Sequence, residues 1–471
     1  MPLKLVIVGG GPGGYVAAVH AAHGGAEVTL VEKEALGGTC LHWGCIPTKI
    51  FRHSADLLEK IQKSDEFGIT GVGRVEADLV KLQARKEKII QAQLAGLEQL
   101  MAKNKIQVMR GTGSISGKGR LMITTPDRKK SEIKWDKLIL ATGSSPMELP
   151  GLPFNNTNIV TSSELLALDT VPKSAVIVGG GVIGCEFANI LNAFGAQVTI
   201  IEGLGRLLPI PCVDESCSKT LLREMKKKKI DAAVNSTVTD IRRTGSRLTI
   251  STGPSPWADE NSTIQPGEIT ADMVMVSIGR APATDGLQLE TMQIKTDKKG
   301  WIEVDATLQT SHPDVYAIGD VLGPGHVMLA HVASAEARIA AANALGGNKV
   351  MDYSAVPSAI FTMPEIGCVG LTEREAEEKG LSFRSDSVLF RVIGKAQVIG
   401  EIAGEAKIVS EEKTGRVLGA HIIGPHATDL IAECTLAIKV GATLHDLAET
   451  IHAHPTLAEV IMEVAHKAVY T

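Results

Sequence analysis

One glycine-rich pattern occurs twice in the chain of 471 residues, and this repeat limits the possible folds more than any other feature. A short β-branched run leads into GxGxxG at positions 9–14, and another leads into GxGxxG at 179–184. In each copy an acid, Glu32 or Glu202, stands 23 positions after the first glycine. A strand, a glycine turn and a helix in this order form the unit that binds a dinucleotide in Rossmann-like domains. The sequence therefore predicts an α/β fold with two such domains.

The glycines and the closing acid of each copy have separate tasks. The first glycine makes a tight turn, the second lets the backbone approach a pyrophosphate, and the third allows the helix to pack closely on the strand. The acid accepts hydrogen bonds from ribose hydroxyls, and a carboxylate at Glu202 would repel a 2′-phosphate, which favours NAD over NADP. Arg206 nearby leaves some NADP use open. Two copies imply two dinucleotides, and hydride passes between them only if one is a flavin or a similar carrier.

Two cysteines follow the first copy closely. Cys40 and Cys45 lie in the run GGTCLHWGCIPTK, which begins five residues after Glu32. A C-x₄-C pair beside a nucleotide pattern, in a chain without signs of secretion, is typical of a redox dithiol held near a cofactor. The alternative is a pair of unlinked, buried cysteines. Cys212 and Cys217 have the same spacing but lack these flanking residues, so we expect them to be incidental.

Composition excludes several classes of function. The 48 Lys+Arg and 53 Asp+Glu residues give a formal charge of −5, which indicates neither a nucleic-acid partner nor an acidic tail. Aromatic residues make up only 3%, so stacking platforms for single-stranded nucleic acid are few. Seven cysteines are too few for a disulfide-stapled secreted fold. With no apolar stretch long enough for a membrane span and no signal peptide, a cytoplasmic enzyme is expected.

Local patterns predict the remaining elements. Apolar residues at helical spacing predict helix from about 52 to 104. Short apolar runs predict strands, several of them ending in glycine, at 107–109, 121–124, 137–141, 272–278 and 316–320. Beyond about residue 350 the character changes to mixed α+β, with a strand pair formed by AKIV and VLGAHIIG.

Taken together, the motifs resemble one known family over essentially the whole chain. They are GGGPGG with Glu32, GGTC…GCIPTK, ATGS, GGGVIGCE with Glu202, SIGR, AIGD, MLAH and HAHPTLAE. The chain is similar to the disulfide-reductase branch of the flavin-dependent pyridine nucleotide–disulfide oxidoreductases. The resemblance implies an FAD-binding domain with a redox disulfide (1–148), an NAD-binding domain (149–271), a central region that completes the FAD site (272–345) and a C-terminal α+β dimer-interface domain (346–471). A homodimer is therefore expected.

The resemblance also implies the cofactor-binding residues, and it implies no metal. For FAD they are Gly9, Gly11, Gly14, Glu32, Lys33, Gly38, Thr39, Lys49, Gly113, Ala141, Thr142, Gly143, Asp320, Ala330 and His331. For NAD they are Gly179, Gly181, Gly184, Glu202, Val238, Gly279 and Arg280.

The same resemblance assigns roles around the dithiol. Cys40 would exchange with the thiol substrate, and Cys45 would pass the electron pair to FAD. A helix that begins after Cys45, together with Lys49, is expected to lower the thiol pKa values through its N-terminal dipole and the positive charge. Lys49 and Glu186 would approach each other near the flavin and modulate hydride transfer.

A histidine motif near the C-terminus supplies the expected base. In the family, the histidine that matches His454 accepts the thiol proton, and the glutamate that matches Glu459 orients the imidazole. The His454–Pro455 bond is cis in the family. His452 is expected to be structural. Because the motif lies in the interface domain, each active site would combine the dithiol of one chain with His454 and Glu459 of the other.

The function implied is the oxidation of protein-bound dihydrolipoamide to lipoamide, with NAD⁺ as the hydride acceptor. The lipoyl group would belong to a protein of a 2-oxo acid dehydrogenase complex or of the glycine cleavage system. Other NAD(P)H-dependent disulfide reductases, similar to glutathione or mercuric reductase, remain alternatives. A non-catalytic electron-delivery or scaffold subunit is a further one. His42 and Trp43 stand between the cysteines where lipoamide enzymes commonly carry smaller residues, so the thiol preference is open.

Overall fold

A computed structural model describes residues 1–148, 154–155, 157–258 and 264–470. The contacts divide the chain into two compact units. The first unit consists of residues 1–50, 81–147 and 279–352, and the second of 51–80, 148–278 and 353–471. The predicted domain boundary after residue 148 falls at the edge of the described residues, and residue 149 lies outside them.

The described residues form 23 strands and 13 α-helices. The strands are β1 (Lys4–Val8), β2 (Glu27–Glu32), β3 (Gln107–Arg110), β4 (Thr112–Gly117), β5 (Arg120–Thr124), β6 (Lys130–Lys134), β7 (Lys137–Leu140), β8 (Ser144–Pro146), β9 (Ile159–Val160), β10 (Ser174–Val178), β11 (Gln197–Ile201), β12 (Asp231–Ala233), β13 (Ser236–Thr244), β14 (Arg247–Pro254), β15 (Gly267–Ala271), β16 (Met273–Val276), β17 (Arg280–Pro282), β18 (Val315–Ala317), β19 (Ser358–Ile360), β20 (Glu365–Gly370), β21 (Phe383–Leu389), β22 (Glu405–Glu411) and β23 (Val417–Gly424). The α-helices are α1 (Pro12–His23), α2 (Gly38–His42), α3 (Cys45–Gln62), α4 (Leu79–Lys103), α5 (Ser162–Leu165), α6 (Val182–Ala193), α7 (Glu215–Lys227), α8 (Ala330–Ala344), α9 (Glu373–Glu378), α10 (Gly394–Val398), α11 (Ala427–Val440), α12 (Leu444–Glu449) and α13 (Glu459–Tyr470). Short 3₁₀ turns lie at Ser64–Phe67, Leu289–Met292, Gly319–Leu322 and Phe390–Val392.

A parallel five-stranded sheet forms the centre of the first unit. Its strand order is β18-β7-β1-β2-β3, and Leu5 of β1 pairs with Val28 on one side and Lys137 on the other. Four of the five residues of β1 are buried, because a parallel sheet is covered on both faces. A three-stranded antiparallel sheet, β4-β5-β6, and the pair β17-β8 complete the strands of this unit. The first glycine pattern thus joins β1 to α1, as predicted.

The second unit contains a sheet of the same kind and one of a different kind. The parallel sheet has the order β12-β11-β10-β16-β9, and all five residues of β10 are buried. The strands β13, β14 and β15, which lie between β12 and β16 in the sequence, form a separate antiparallel sheet. The two parallel sheets confirm the prediction of two Rossmann-like folds.

The C-terminal part of the second unit is antiparallel. Its sheet has the order β19-β20-β23-β22-β21, and the predicted strand pair corresponds to β22 and β23. Buried apolar side chains of α11 and α13 share one core with this sheet. The change to an α+β arrangement after residue 350 is therefore confirmed.

Two local predictions are wrong in part. The stretch 52–104 is not continuously helical, since α3 ends at Gln62 and α4 begins at Leu79. Gly68 and Gly71 have φ values of 72° and 82°, in the left-handed region that ends helices. The strand predicted at 316–320 stops at Ala317, and a 3₁₀ turn follows it.

Candidate active site

The two glycine turns have the same backbone geometry. Gly9 and Gly179 have φ values of 103° and 107°, which favour glycine because other side chains rarely adopt them. A Cβ on Gly14 would collide with the carbonyl oxygen of Gly9, so the third glycine brings helix α1 against the turn. The helices begin after Gly11 and Gly181, and neither residue forms a side-chain cap. The N–H groups of both first helical turns are therefore available to an anion.

The closing acid of each copy is tied to its own turn. The carboxylate accepts one N–H group from the turn and another from the residue two positions beyond the acid. These distances are 2.6 and 2.7 Å at Glu32, and 2.6 and 2.8 Å at Glu202. Since each oxygen has further lone pairs, both carboxylates can still accept ribose hydroxyls. Arg206 donates to the carbonyl oxygens of Val213 and Ile210 at 3.0 and 3.1 Å, so it holds its own loop.

The loop after β2 is held directly on the first glycine turn. The Gly37 N–H donates to the Gly10 carbonyl oxygen at 2.8 Å. A Cβ on Gly38 would lie 2.8 Å from the Cα of Gly11, so only glycine allows the two backbones to approach this closely. The residues that follow Gly38 are thereby placed beside the N-terminus of α1.

Those residues include the dithiol. Cys40 lies in α2, and Cys45 is the first residue of α3, which confirms the predicted helix start. Both are thiols, and Cys45 hydrogen-bonds Cys40. The Cys45 side chain is on the surface, whereas Cys40 is half-buried. A pair of adjacent thiols at a helix N-terminus is suited to thiol–disulfide exchange.

The electrostatics of Cys40 differ from the sequence expectation. The pKa of Cys40 is raised, because Cys45 hydrogen-bonds it, because it is partly buried and because a Cys45 thiolate would repel it. Lys49 acts in the predicted, lowering direction, but its effect is smaller. The prediction of a lowered pKa is therefore wrong for Cys40 when both thiols are present. One thiolate of a close pair suppresses ionisation of the other.

Sequence reasoning missed Tyr15. Its phenol pKa is raised by burial and by the charges of Cys40 and Cys45. Tyr15 is in the first turn of α1, immediately after Gly14. That position next to the third glycine is the signal that could have identified it.

A polar network joins three residues of the predicted cofactor region in the first unit. Arg280 donates through Nε to the Ser144 hydroxyl at 2.6 Å, and Ser144 donates to Asp320 at 2.9 Å. Arg280 Nε and Asp320 Oδ2 are 3.8 Å apart. Burial lowers the pKa of Arg280 despite the neighbouring Asp320 carboxylate. The resemblance predicted Arg280 as an NAD-binding residue, and this role stays a prediction. Ser144 was not predicted.

The described residues fit the two dinucleotides. The Thr142 hydroxyl is buried without a hydrogen-bond partner in the described part of the chain, as expected for a group that a ligand completes. A Cβ on Gly143 or Gly181 would meet open space within 4 Å, and one on Gly11 only the Cα of Gly38 at 4.0 Å, so these backbones border open volume. Free helix N-termini and two carboxylates complete the donors and acceptors that a dinucleotide needs.

The other predicted cofactor residues belong to several elements, and their roles stay predictions. In the first unit, Lys33 and Thr39 flank the loop after β2, Gly113 is in β4, Ala141 follows β7, and Ala330 and His331 begin α8. Gly184 lies in α6 and Val238 in β13 of the second unit, and Gly279 precedes β17 of the first.

Lys49 and Glu186 belong to different units. Lys49 is in α3 of the first unit, and Glu186 is buried in α6 of the second. The Glu186 carboxylate accepts the Phe361 N–H at 2.9 Å. The predicted approach of Lys49 to Glu186 stays a prediction.

The histidine motif forms a local hydrogen-bonded group in the second unit. His454 donates through Nδ1 to Glu459 Oε1 at 2.8 Å, and the Thr456 N–H donates to Glu459 Oε2 at 2.8 Å. The hydrogen bond from His454 and that from Thr456 lower the pKa of Glu459. The His454–Pro455 bond is cis, as the resemblance implied. With Nδ1 occupied and 77% of the side chain exposed, Nε2 is the ring nitrogen of His454 that can still accept a proton, and its role as the base stays a prediction.

Comparisons with known proteins match this arrangement. Residues 3–337 match the pyridine nucleotide-disulphide oxidoreductase domain, and residues 356–465 match the dimerisation domain of the same family. The chain belongs to the pyridine nucleotide-disulphide oxidoreductase family. It is 40% identical to a dihydrolipoyl dehydrogenase from Chlamydia trachomatis serovar D over 99% of this chain and 97% of that protein. A Bacillus subtilis protein of the same name is 39% identical over 98% and 97% of the two chains.

Solved structures of this family have the same fold. LpdA from Mycobacterium tuberculosis superimposes with a TM-score of 0.89 at 28% identity, over 99% of both chains. The HOCl-induced flavoprotein disulfide reductase RclA from Escherichia coli gives 0.86 at 26% identity, also over 99% of both chains. The chain is therefore a flavoprotein disulfide oxidoreductase that uses FAD and NAD. Its dimerisation domain indicates a homodimer.

Two further properties concern the described residues only. None of the helices there has the length and hydropathy that a bilayer span requires. No cluster of three or more His, Cys, Asp or Glu side chains in that part of the chain is arranged to hold a metal ion.

Proposed function

We propose that the protein oxidises protein-bound dihydrolipoamide to lipoamide and reduces NAD⁺. The observation that carries the proposal is the Cys40–Cys45 thiol pair, held on the first glycine turn of a chain about 40% identical over its full length to dihydrolipoyl dehydrogenases. A dithiol substrate matches this dithiol in chemistry and in the number of electrons exchanged. The lipoyl group would be carried by another protein, of a 2-oxo acid dehydrogenase complex or of the glycine cleavage system.

The exchange begins with Cys40 and Cys45 oxidised to a disulfide. His454 accepts a proton from one substrate thiol, and the thiolate attacks Cys40 Sγ while the Cys40–Cys45 bond breaks. The second substrate thiol then attacks the mixed disulfide, so that lipoamide leaves and Cys40 and Cys45 remain reduced. The substrate loses two electrons and two protons. The cysteine pair gains both electrons, one proton stays on His454, and the proton of the second substrate thiol passes to the departing Cys40 sulfur, which leaves Cys45 as the thiolate. Glu459 stabilises the imidazolium that forms at His454.

The chain's other residues position the cofactors. Gly9, Gly11, Gly14 and Glu32 would hold FAD, and Gly179, Gly181, Gly184 and Glu202 would hold NAD. Bound FAD supplies the two-electron transfer between the dithiol and the nicotinamide. The remaining residues that the resemblance implies, and the four-domain division at 148, 271 and 345, belong to the same proposal.

We further propose that each active site combines two subunits, with Cys40 and Cys45 from one and His454 and Glu459 from the other. Hybrid dimers test this arrangement. C40S and H454Q homodimers would both be inactive, but a hybrid of the two variants would contain one intact site. A random mixture would then recover about a quarter of the wild-type activity. No recovery in verified hybrids would show that a single subunit supplies all four residues.

A second candidate, the reduction of another disulfide with NAD(P)H, is favoured by one observation. Trp43 is 38% exposed between the two cysteines, and its ring lies 5.2 Å from that of His42. Such an aromatic surface beside the dithiol would suit a different thiol substrate. Purified protein assayed with NAD⁺ and dihydrolipoamide, against NADPH with glutathione disulfide or Hg²⁺, separates the candidates. Turnover with dihydrolipoamide at a higher kcat/KM than the other pairs supports the first proposal, and the reverse order would contradict it.

A further inference from the structure

The loop that carries His454 holds a second histidine in an unusual setting. His452 is almost completely buried, with only 6% of its side chain exposed. Its Nδ1 lies 2.8 Å from the Thr450 carbonyl oxygen, and its Nε2 lies 2.9 Å from Glu433 Oε1 in α11. Both ring nitrogens therefore face oxygen atoms. This contrasts with His454, whose side chain is largely exposed.

The chemistry of these partners restricts the protonation of His452. A carbonyl oxygen only accepts hydrogen bonds, so Nδ1 must carry a proton. A carboxylate also only accepts, so a proton must lie between Nε2 and Glu433. The arrangement that satisfies both contacts with an ionised carboxylate is an imidazolium paired with Glu433. Charge-assisted hydrogen bonds of this length are the strong ones in proteins.

The charge of His452 reaches the catalytic pair. Glu459 has a lowered pKa, to which the charge of His452 contributes after the hydrogen bonds from His454 and Thr456 and the charge of His454. Glu433 is the counter-charge on α11, and its own neighbour Cys434 is a buried thiol. On α12, which packs against α13, Asp446 caps its own helix at Thr443. His452 is thus a positive group that acts on Glu459 besides His454.

We propose that His452 is a positioning residue, held as an imidazolium between Thr450 and Glu433, which fixes the loop before α13 and with it the place of the His454–Glu459 pair. The inference rests on the proposed function of His454 as the base. It gives the two histidines of HAHP different roles, one that holds the loop and one that takes the substrate proton. Glu433 becomes part of the same unit, although it lies 21 positions before His454.

A charge comparison separates this role from simple packing. H452Q removes the cation and leaves the Glu433 anion near the base, so His454 is protonated more easily. On the acid side of the pH profile, the fall in kcat/KM for dihydrolipoamide (the acid limb) should shift to a higher pH, by roughly half to one pH unit. In H452Q/E433Q both charges are gone, so the limb should return toward the wild-type position although kcat stays lowered. H445Q is the matched control, because His445 lies in α12 of the same domain and packs on the Tyr470 ring instead.

A second readout does not depend on turnover. In protein labelled with ¹⁵N-histidine, His452 should show two protonated ring nitrogens at the pH of the assay, and it should lose this signature in E433Q. A neutral His452 in the wild-type protein, or an acid limb that stays in place in H452Q, would overturn the proposal. If the wild-type protein lacks dihydrolipoamide activity, the proposed function fails while the NMR result still decides the state of His452.

Discussion

Two cysteine pairs with the same C-x₄-C spacing lie in different surroundings in this molecule. Cys40 and Cys45 hydrogen-bond each other at the start of a helix, within reach of solvent and of Lys49. Cys217 in α7 is fully buried, and its thiol contacts Cys368 of β20 rather than hydrogen-bonding Cys212. The same C-x₄-C spacing therefore gives a local thiol pair at Cys40 and Cys45, whereas Cys217 pairs with the distant Cys368 instead of with Cys212.

The second thiol pair, Cys217 and Cys368, is part of the packed interior. Cys368 stands opposite His421 in the register of β20 and β23, and both residues are buried. The pKa of Cys368 is raised strongly by the hydrogen bond with Cys217 and by burial, and burial also raises the pKa of Cys212. Protonated, enclosed thiols are poor nucleophiles. The comparison teaches that the glycine flanks around Cys40 and Cys45, which bring a helix start and a nucleotide turn together, decide the chemistry.

The largest expected effect distinguishes the pairs by turnover. Replacing Cys40 by Ser should lower dihydrolipoamide oxidation by roughly a thousand-fold or more, because the exchange nucleophile is lost. C212S, the matched change in the other C-x₄-C sequence, should stay within about two-fold of the wild-type kcat, since no reaction step uses Cys212. Steady-state NAD⁺ reduction measures both. Substantial activity in C40S would break the distinction.

Thiol accessibility should separate the pairs next. In reduced, native protein, iodoacetamide should modify the Cys40–Cys45 pair at least about 100-fold faster than Cys217 or Cys368, because Cys217 and Cys368 are buried. Peptide mass spectrometry after timed quenching gives the individual rates. Denatured protein, in which all thiols should react alike, is the control. Equal native rates would contradict the burial of the second pair.

The pH dependence of Cys40 should reveal its coupling to Cys45. The pKa of Cys40 is raised, so its thiolate is scarce at neutral pH and its alkylation rate rises with increasing pH. C45A removes the largest cause of this shift, and Cys40 should then react several-fold faster near pH 7. K49Q removes the opposing charge and should slow the reaction. Alkylation rates measured from pH 6 to pH 10 test both signs, and slower alkylation in C45A would refute the coupling.

The smallest expected effect concerns stability. Cys217→Ala or Cys368→Ala leaves a small cavity in a packed region and should cost about 1 kcal/mol, seen as a lower midpoint in urea. Cys45→Ala, at the surface, should change the free energy of unfolding by less than about 0.5 kcal/mol. Turnover of the Cys217 and Cys368 variants should remain close to that of the wild type. A loss of activity there without a loss of stability would give the second pair a chemical role.

Much of the fold and part of the site were predictable from sequence. The two parallel sheets follow from the paired GxGxxG patterns, because those glycines and the acids at Glu32 and Glu202 are local signals with a fixed spacing. The hydrogen bond between His454 and Glu459 also joins residues close in sequence. The helix break after Gln62 was missed because the helical periodicity of the flanking segments concealed the effect of Gly68 and Gly71.

Contacts between distant segments were not predictable. The partner of Cys217 is set by the packing of α7 against the C-terminal sheet, and the Ser144–Asp320 bond joins residues 176 positions apart. Glu433 contacts His452 from helix α11, which lies before the histidine loop in the sequence. The raised pKa of Cys40 depends on the contact between the Cys40 and Cys45 thiols, which are near each other in the sequence. Whether the effect of Cys45 on this pKa exceeds the opposite effect of Lys49 depends on the folded geometry.

The central claim is that Cys40 and Cys45 form a redox-active pair coupled to a bound flavin. Anaerobic dithionite titration of the purified holoprotein tests it most directly, with the flavin absorbance as the readout. The wild-type protein should take up about four electrons per subunit before the flavin is fully reduced, and C40S/C45S about two, because a disulfide accepts two. Equal uptake by the two proteins would contradict the account.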